Sequence, residues 1–238
     1  MIQWMKMDMV KTDWKMYLLG FGLLNMIIVS CIWLLLHAIN PADMKLMYPI
    51  FPSYRFVYEW IITASKFGTT IFEAVLLVGI ILNEYKNKTI LILFQYPYPR
   101  WKLLLSKILL IGLLAFTFFS CTTVVSFIGF MTMNTFDAMI YEPITSLLSV
   151  HLILEIMIQG LGTVAIGFIP LFFGMIHKSV KTTWITSTLL AFLIHLPINA
   201  PNERMIYGTK PILYIPLAIA GIMVTVHFIY QANNRDVS

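Results

Sequence analysis

Long stretches free of charge dominate the chain. No charged residue lies between Met16 and Ala42, between Ile108 and Phe136, between Thr182 and Asn202, or between Pro211 and Asn234. Each stretch exceeds the roughly 20 residues that a helix needs to cross ~30 Å of hydrocarbon. Two further apolar stretches are interrupted, one by Lys66 and Glu73 and the other by His151 and Glu155. The pattern predicts six transmembrane helices over about 17–39, 60–83, 103–133, 144–176, 183–199 and 211–231. The fold class is an all-α membrane protein, with residues 1–238 forming one transmembrane domain. Ahead of the first span, Ile2, Met5, Met9 and Met16 recur at helical spacing, with Asp8, Lys11, Thr12 and Lys15 on another face. That spacing predicts an amphipathic helix over about 1–16, lying in the membrane interface.

Composition turns this reading into an exclusion. Hydrophobic residues make up 59% of the chain and charged residues 11%, with a mean hydropathy of +0.84. A soluble domain of this length runs near 25% charged and has no core large enough to hide so much apolar surface. The net charge of +5 and a pI near 9.1 point to the membrane, not to nucleic acid, because the basic residues are unevenly placed. Lys6, Lys11, Lys15, Lys86, Lys88, Arg100, Lys102, Lys107, Lys178, Lys181 and Arg235 fall on one side of the predicted spans. Only Lys45, Arg55, Arg204 and Lys210 fall on the other. The positive-inside rule then puts both termini in the cytoplasm of a multi-pass plasma-membrane protein. No small-residue cleavage site precedes Asp43, so the first span is expected to be retained. Cys31 and Cys121, far apart inside apolar runs, read as small core residues.

Ionisable side chains within the spans are candidates for a substrate path, since such groups usually face a bundle interior or a wet cavity. Lys66 and Glu73 stand seven apart, on one helix face but about 10 Å apart along the axis, too far for an easy ion pair. The ordinary alternative is that Lys66 snorkels to the outer interface and Glu73 bonds a neighbouring helix. His151 and Glu155 share a face four residues apart, either as a path pair or as a structural hydrogen bond. None of the five histidines stands at i, i+3 or i, i+4 from another, so neither a metal nor a haem is expected. Gly160, Gly162, Gly167 and Gly174, with Pro170, loosen the fourth span. They suit either a seam between two copies or a bend within the helix.

The connection 84–107 reads EYKNKTILILFQYPYPRWKLLLSK. Residues 89–96 are too few to span and form a short apolar helix candidate, ended by Pro97 and Pro99. Here the chain resembles the membrane subunits of type 2 ABC exporters. In that family an acidic residue closes the second span, a Gly-Thr opens a cytoplasmic coupling helix, and Pro-x-x-Arg with a following Lys begins the third. The matching positions are Glu84, Thr89, Pro97, Arg100 and Lys107, with Lys88 in place of the family glycine. The match covers about twenty-five residues, and the order of six spans extends it loosely along the chain.

The resemblance implies a permease domain over 1–238 that makes half of an exporter's translocation path. Its partners would be two copies of a cytoplasmic ABC ATPase and a second copy or a sister permease. Ile90, Leu91, Leu93 and Phe94 would seat in a groove of the ATPase, with Glu84 and Arg100 fixing the two ends of the helix. The chain has no G-x-x-x-x-G-K-[ST], so ATP and Mg belong to the partner and no catalytic residue is expected in this chain. The substrate implied is an amphipathic peptide, drug or lipid-like molecule, as in bacteriocin self-immunity or antimicrobial-peptide resistance. The competing class is an ion-coupled secondary carrier using Glu73 and Glu155. An intramembrane protease is weakest, because the chain has no H-E-x-x-H and no G-x-S-x-G.

Overall fold

The computed structural model describes residues 14–38, 53–87, 99–136, 140, 150–177, 179–195 and 211–234. The elements are α1 Trp14–Ala38, α2 Tyr54–Leu77, a π turn Val78–Leu82 leading into α3 Asn83–Lys86, α4 Arg100–Phe136, α5 Val150–Gly167, α6 Ile169–His177, α7 Val180–His195 and α8 Pro211–Asn234. No strand occurs among the described residues. Four of the rods are long and apolar enough to cross a membrane: Tyr17–His37, Tyr54–Lys86, Arg100–Phe136 and Leu152–Ile176. Helix α7 is 16 residues long, and α8 contains the shorter apolar stretch Tyr214–Tyr230.

Several boundaries differ from the sequence pattern. Lys15 and Met16 belong to the first rod, Trp14–Ala38. Residues 1–13 and the coupling segment 89–96 lie outside the described residues, as do 144–149 and 196–199 of the fourth and fifth predicted spans. The second rod starts at Tyr54, not at 60, because the Ser53 hydroxyl accepts from the Phe56 amide at 3.2 Å and caps it. Arg55 and Glu59, read as loop residues, thereby become its first turns. The fourth predicted span is two helices, α5 and α6, parted at Phe168. Pro170 has no N–H to offer the Ile166 carbonyl, and the ladder breaks there.

Consecutive rods run antiparallel, as their contacts show. Tyr17 of α1 meets Phe72, while Asn25 accepts from Ser126 of α4 at 2.8 Å. Lys107 of α4 reaches Glu84, and at the opposite end Asn134 donates to Tyr54. Ser187 of α7 donates to the Thr70 carbonyl at 3.0 Å. Tyr85 packs on Phe228 of α8 at the Glu84 end.

The core has three levels. Leu77, Ile81, Leu104, Ile111 and Leu171 form an apolar cluster towards the Glu84 end. Phe56, Val57, Ile61 and Phe130 form another towards Arg55. Between them along the helices lies a buried polar layer: Ser65, Lys66, Thr69, Thr70, Glu73, Thr122, Thr123, Ser126, Thr163 and Ser187. The hydroxyls of Thr69, Thr70, Thr123 and Thr163 bond their own helix one turn back, which satisfies them without a partner helix.

One expectation is corrected by the packing. Cys31 and Cys121 are free and exposed. They share faces with exposed Ile27, Leu34, Val124 and Val125, so they sit on the outer, apolar surface of the bundle and not in its core. The glycines of α5 and α6 serve contacts within the chain. Gly160 lies against Phe116 and Phe119, Gly162 against Tyr214, Gly167 against Glu73, and Gly174 against Thr183. Gly221 of α8 completes this set, lying directly on the Ala165 carbonyl and bringing α8 backbone to backbone with α5.

Candidate functional site

Two polar constellations stand out, one at each end of the α2 rod. At its C-terminal end, Lys107 is 3% exposed. Its ammonium donates to Glu84 Oε1 at 3.1 Å and to the Ile80 carbonyl at 3.4 Å. Ile80 lies in the π turn, whose wider winding shifts the backbone ladder by one residue. The pair therefore pins the end of α2–α3 to the start of α4 across the connection 88–98. Arg100 opens α4, and Glu84 pairs with Lys107. Thr89, Ile90, Leu91, Leu93, Phe94 and Pro97 lie outside the described residues.

The second constellation occupies the other half of the bundle. Arg55 places its two terminal nitrogens on the two oxygens of Glu155, each at 3.1 Å, and its Nε on Glu59 at 2.9 Å. A planar guanidinium fits such a fork better than an ammonium does. Glu155, expected beside His151, is thus bound to a residue one hundred positions away, and the His151 side chain lies outside the described residues. Sequence reading missed Arg55 because its charge was assigned to a loop. The signal available was its i, i+4 spacing to Glu59.

Deeper on α2, Lys66 is 1% exposed, which rules out snorkelling to an interface. Its ammonium lies over the Tyr214 ring, 5.0 Å from the centroid. Tyr214 is itself fixed: its hydroxyl donates to the Gln159 carbonyl at 2.6 Å and shares a hydrogen bond with Thr163 at 2.9 Å. Glu73 is fully buried, and neither of its oxygens has a hydrogen-bond partner among the described residues. Its carboxyl lies on Gly167, one residue before the break at Phe168. The four path candidates thus separate. Lys66 faces Tyr214 of α8, Glu73 faces Gly167 of α5, Glu155 closes the Arg55 end, and the His151 side chain lies outside the described residues. Among the described residues no group of three His, Cys, Asp or Glu side chains gathers to hold a metal ion.

The fold and these buried ionic groups define a helical membrane protein. The chain is 30% identical over 229 residues to the Bacillus subtilis (strain 168) protein designated "Uncharacterized protein YcbO", a match that covers 95% of each chain. It belongs to the YcbO family. No family model matches the chain, and no solved structure matches it.

Proposed function

We propose that the chain is the transmembrane subunit of an ATP-driven ABC exporter, with six spans and both termini in the cytoplasm of a bacterial cell. A second permease completes the path, and two ATPase subunits supply the ATP- and Mg-dependent step. The observation that carries this reading is the bridge from Lys107 to Glu84 and Ile80. It joins two of the positions that carry the resemblance. It also makes the bases of two spans one mechanical unit around the connection 88–98, which is what a coupling element needs. An ATPase drives a membrane domain only through a contact that differs between nucleotide states. The cargo is an amphipathic or hydrophobic molecule such as an antimicrobial or toxin peptide or a drug, matched to the polar layer between apolar clusters. Antimicrobial resistance or self-immunity is the corresponding role.

Purification of the tagged full chain from its native membrane tests this. A P-loop ATPase is expected to copurify, ATP hydrolysis is expected only with that partner, and Leu93→Asp with Phe94→Asp is expected to abolish recruitment while leaving insertion intact. Transport by the chain alone, driven by a proton gradient, would overturn the reading. It would favour the secondary carrier, for which the Glu73 carboxyl, without a hydrogen-bond partner among the described residues, is the specific support. Glu73→Gln would then abolish transport.

A further inference from the structure

We propose that Lys102 and Trp101, at the foot of α4, hold the headgroup of an anionic phospholipid whose acyl chain lies along Leu109 and Leu113. The inference rests on the chain spanning a membrane and stands apart from the exporter reading, since it requires neither an ATPase nor a particular orientation.

It starts from the length of α4. The 37 residues of this rod rise about 55 Å against ~30 Å of hydrocarbon, so it outruns the membrane core. Its own charges mark where it does so. Arg100, Lys102 and Lys107 all fall within its first eight residues, and no charge follows as far as Phe136. Lys107 turns inward to Glu84, whereas Lys102 is exposed.

Helical geometry then sets Lys102 on a definite stripe. At 3.6 residues per turn, positions 102, 109 and 113 lie within about 40° of one another around the axis. Leu109 and Leu113 are 49% and 56% exposed, so the stripe is an apolar strip of outer surface that ends in a cation. Seven residues part Lys102 from Leu109, a rise of about 10 Å, and the flexible lysine stem lets the ammonium settle at headgroup depth. Trp101 stands beside it, 39% exposed, with the Lys102 ammonium 5.4 Å from its ring centroid. Indole and ammonium both offer donors and no acceptor, and a flat apolar body with one polar edge suits the membrane interface.

A phosphodiester head on an apolar tail complements this order of groups, with negative charge and acceptors at Lys102 and hydrocarbon on the leucines. The surrounding charge favours an anionic lipid over a zwitterionic one. Among the described residues Glu84 is the one carboxylate at this end, and Lys107 holds it. Exposed Lys15, Lys86 and Lys181 share the end with Lys102, so a choline group would meet like charge. At the other end Arg55 is already bound by two carboxylates.

The test is equilibrium binding of radiolabelled phosphatidylglycerol and phosphatidylcholine to the full chain in detergent, at physiological ionic strength so that distant charges are screened. Phosphatidylglycerol is expected to bind saturably and at least roughly fivefold more tightly, the effect of one lysine near an anionic surface. Lys102→Gln should weaken phosphatidylglycerol by about fivefold and leave phosphatidylcholine unchanged, whereas Lys181→Gln should change neither. A phosphatidylglycerol carrying a diazirine in its acyl chain should crosslink to the 109–113 stretch. Equal binding of phosphatidylglycerol to wild type and Lys102→Gln would overturn the proposal. An equal loss in Lys181→Gln would also do so, since it would mean a diffuse charge effect in place of a site. Equal affinity of the wild type for the two lipids would sink it whether or not a variant folds, and would leave the stripe to a protein neighbour. Failure to find an ATPase partner would count against the exporter and not against this site.

Discussion

Glu73 and Gly167 constrain each other tightly. The carboxyl occupies the space that a Cβ at position 167 would need, and it does so where α5 gives way to α6. Overpacking a filled interior by one methyl costs about 1–3 kcal/mol, so Gly167→Ala should lower the melting temperature of the detergent-solubilised chain. The cause is specific, and so is its relief. In a Glu73→Ala background the same substitution should cost little, because the colliding carboxyl is gone. A thermal-melt double-mutant cycle measures this coupling, and additive losses would show that the two residues do not meet. Of the residues involved, Glu73 and Lys66 were legible in the sequence as lone charges inside apolar runs. Gly167 was legible only as one of a glycine series, because spacing alone does not say which neighbour fills the space a small residue leaves. Tyr214 was not legible as a site residue, and Arg55 was legible only through its spacing to Glu59, not through its pairing with Glu155. Each is defined by a partner on another helix, and no local pattern encodes that pairing.

At the scale of elements, apolar run length was enough to find the long rods, because a helix is the only open-chain structure that satisfies its own backbone in hydrocarbon. It was not enough to find where they bend. The π turn at Val78–Leu82 carries no Pro. Its visible support is Lys107, which adds a donor to the Ile80 carbonyl and holds Glu84 one turn further on. The break at Phe168 does have a local cause in Pro170, which the sequence shows. Removing Lys107 leaves a half-buried carboxylate and a carbonyl without this donor. Breaking a buried ion pair from one side costs roughly 3–5 kcal/mol. Lys107→Met should therefore destabilise the chain by an amount in that range in urea or thermal unfolding. Adding Glu84→Leu should recover much of the loss, since an apolar pair of similar volume leaves no buried charge. If the double variant were as unstable as the single one, the bridge to Ile80 would be the larger part of the contact.

For the whole molecule, the antiparallel order of the rods converts individual contacts into a distribution of charge. Because Tyr17 meets Phe72, Lys107 meets Glu84 and Tyr85 meets Phe228, the ends bearing Lys15, Lys86, Arg100, Lys102, Lys107 and Lys181 all lie on one side of the bundle. The opposite end bears Arg55, already neutralised by two carboxylates. Lysine and arginine close to span ends resist translocation during insertion, so this asymmetry predicts the Lys86 side as cytoplasmic. The exposed positions of Cys31 and Cys121 make both suitable for replacement by Ser, giving a background for single reporter cysteines. In intact cells, Lys86→Cys should be shielded from a membrane-impermeant maleimide and become reactive only after permeabilisation. Arg204→Cys, in the connection between the fifth and sixth predicted spans, should react from outside without it. Labelling of position 86 from outside would invert the molecule. It would place the Glu84–Lys107 bridge away from ATP, and an ATPase could then no longer act through the connection it closes.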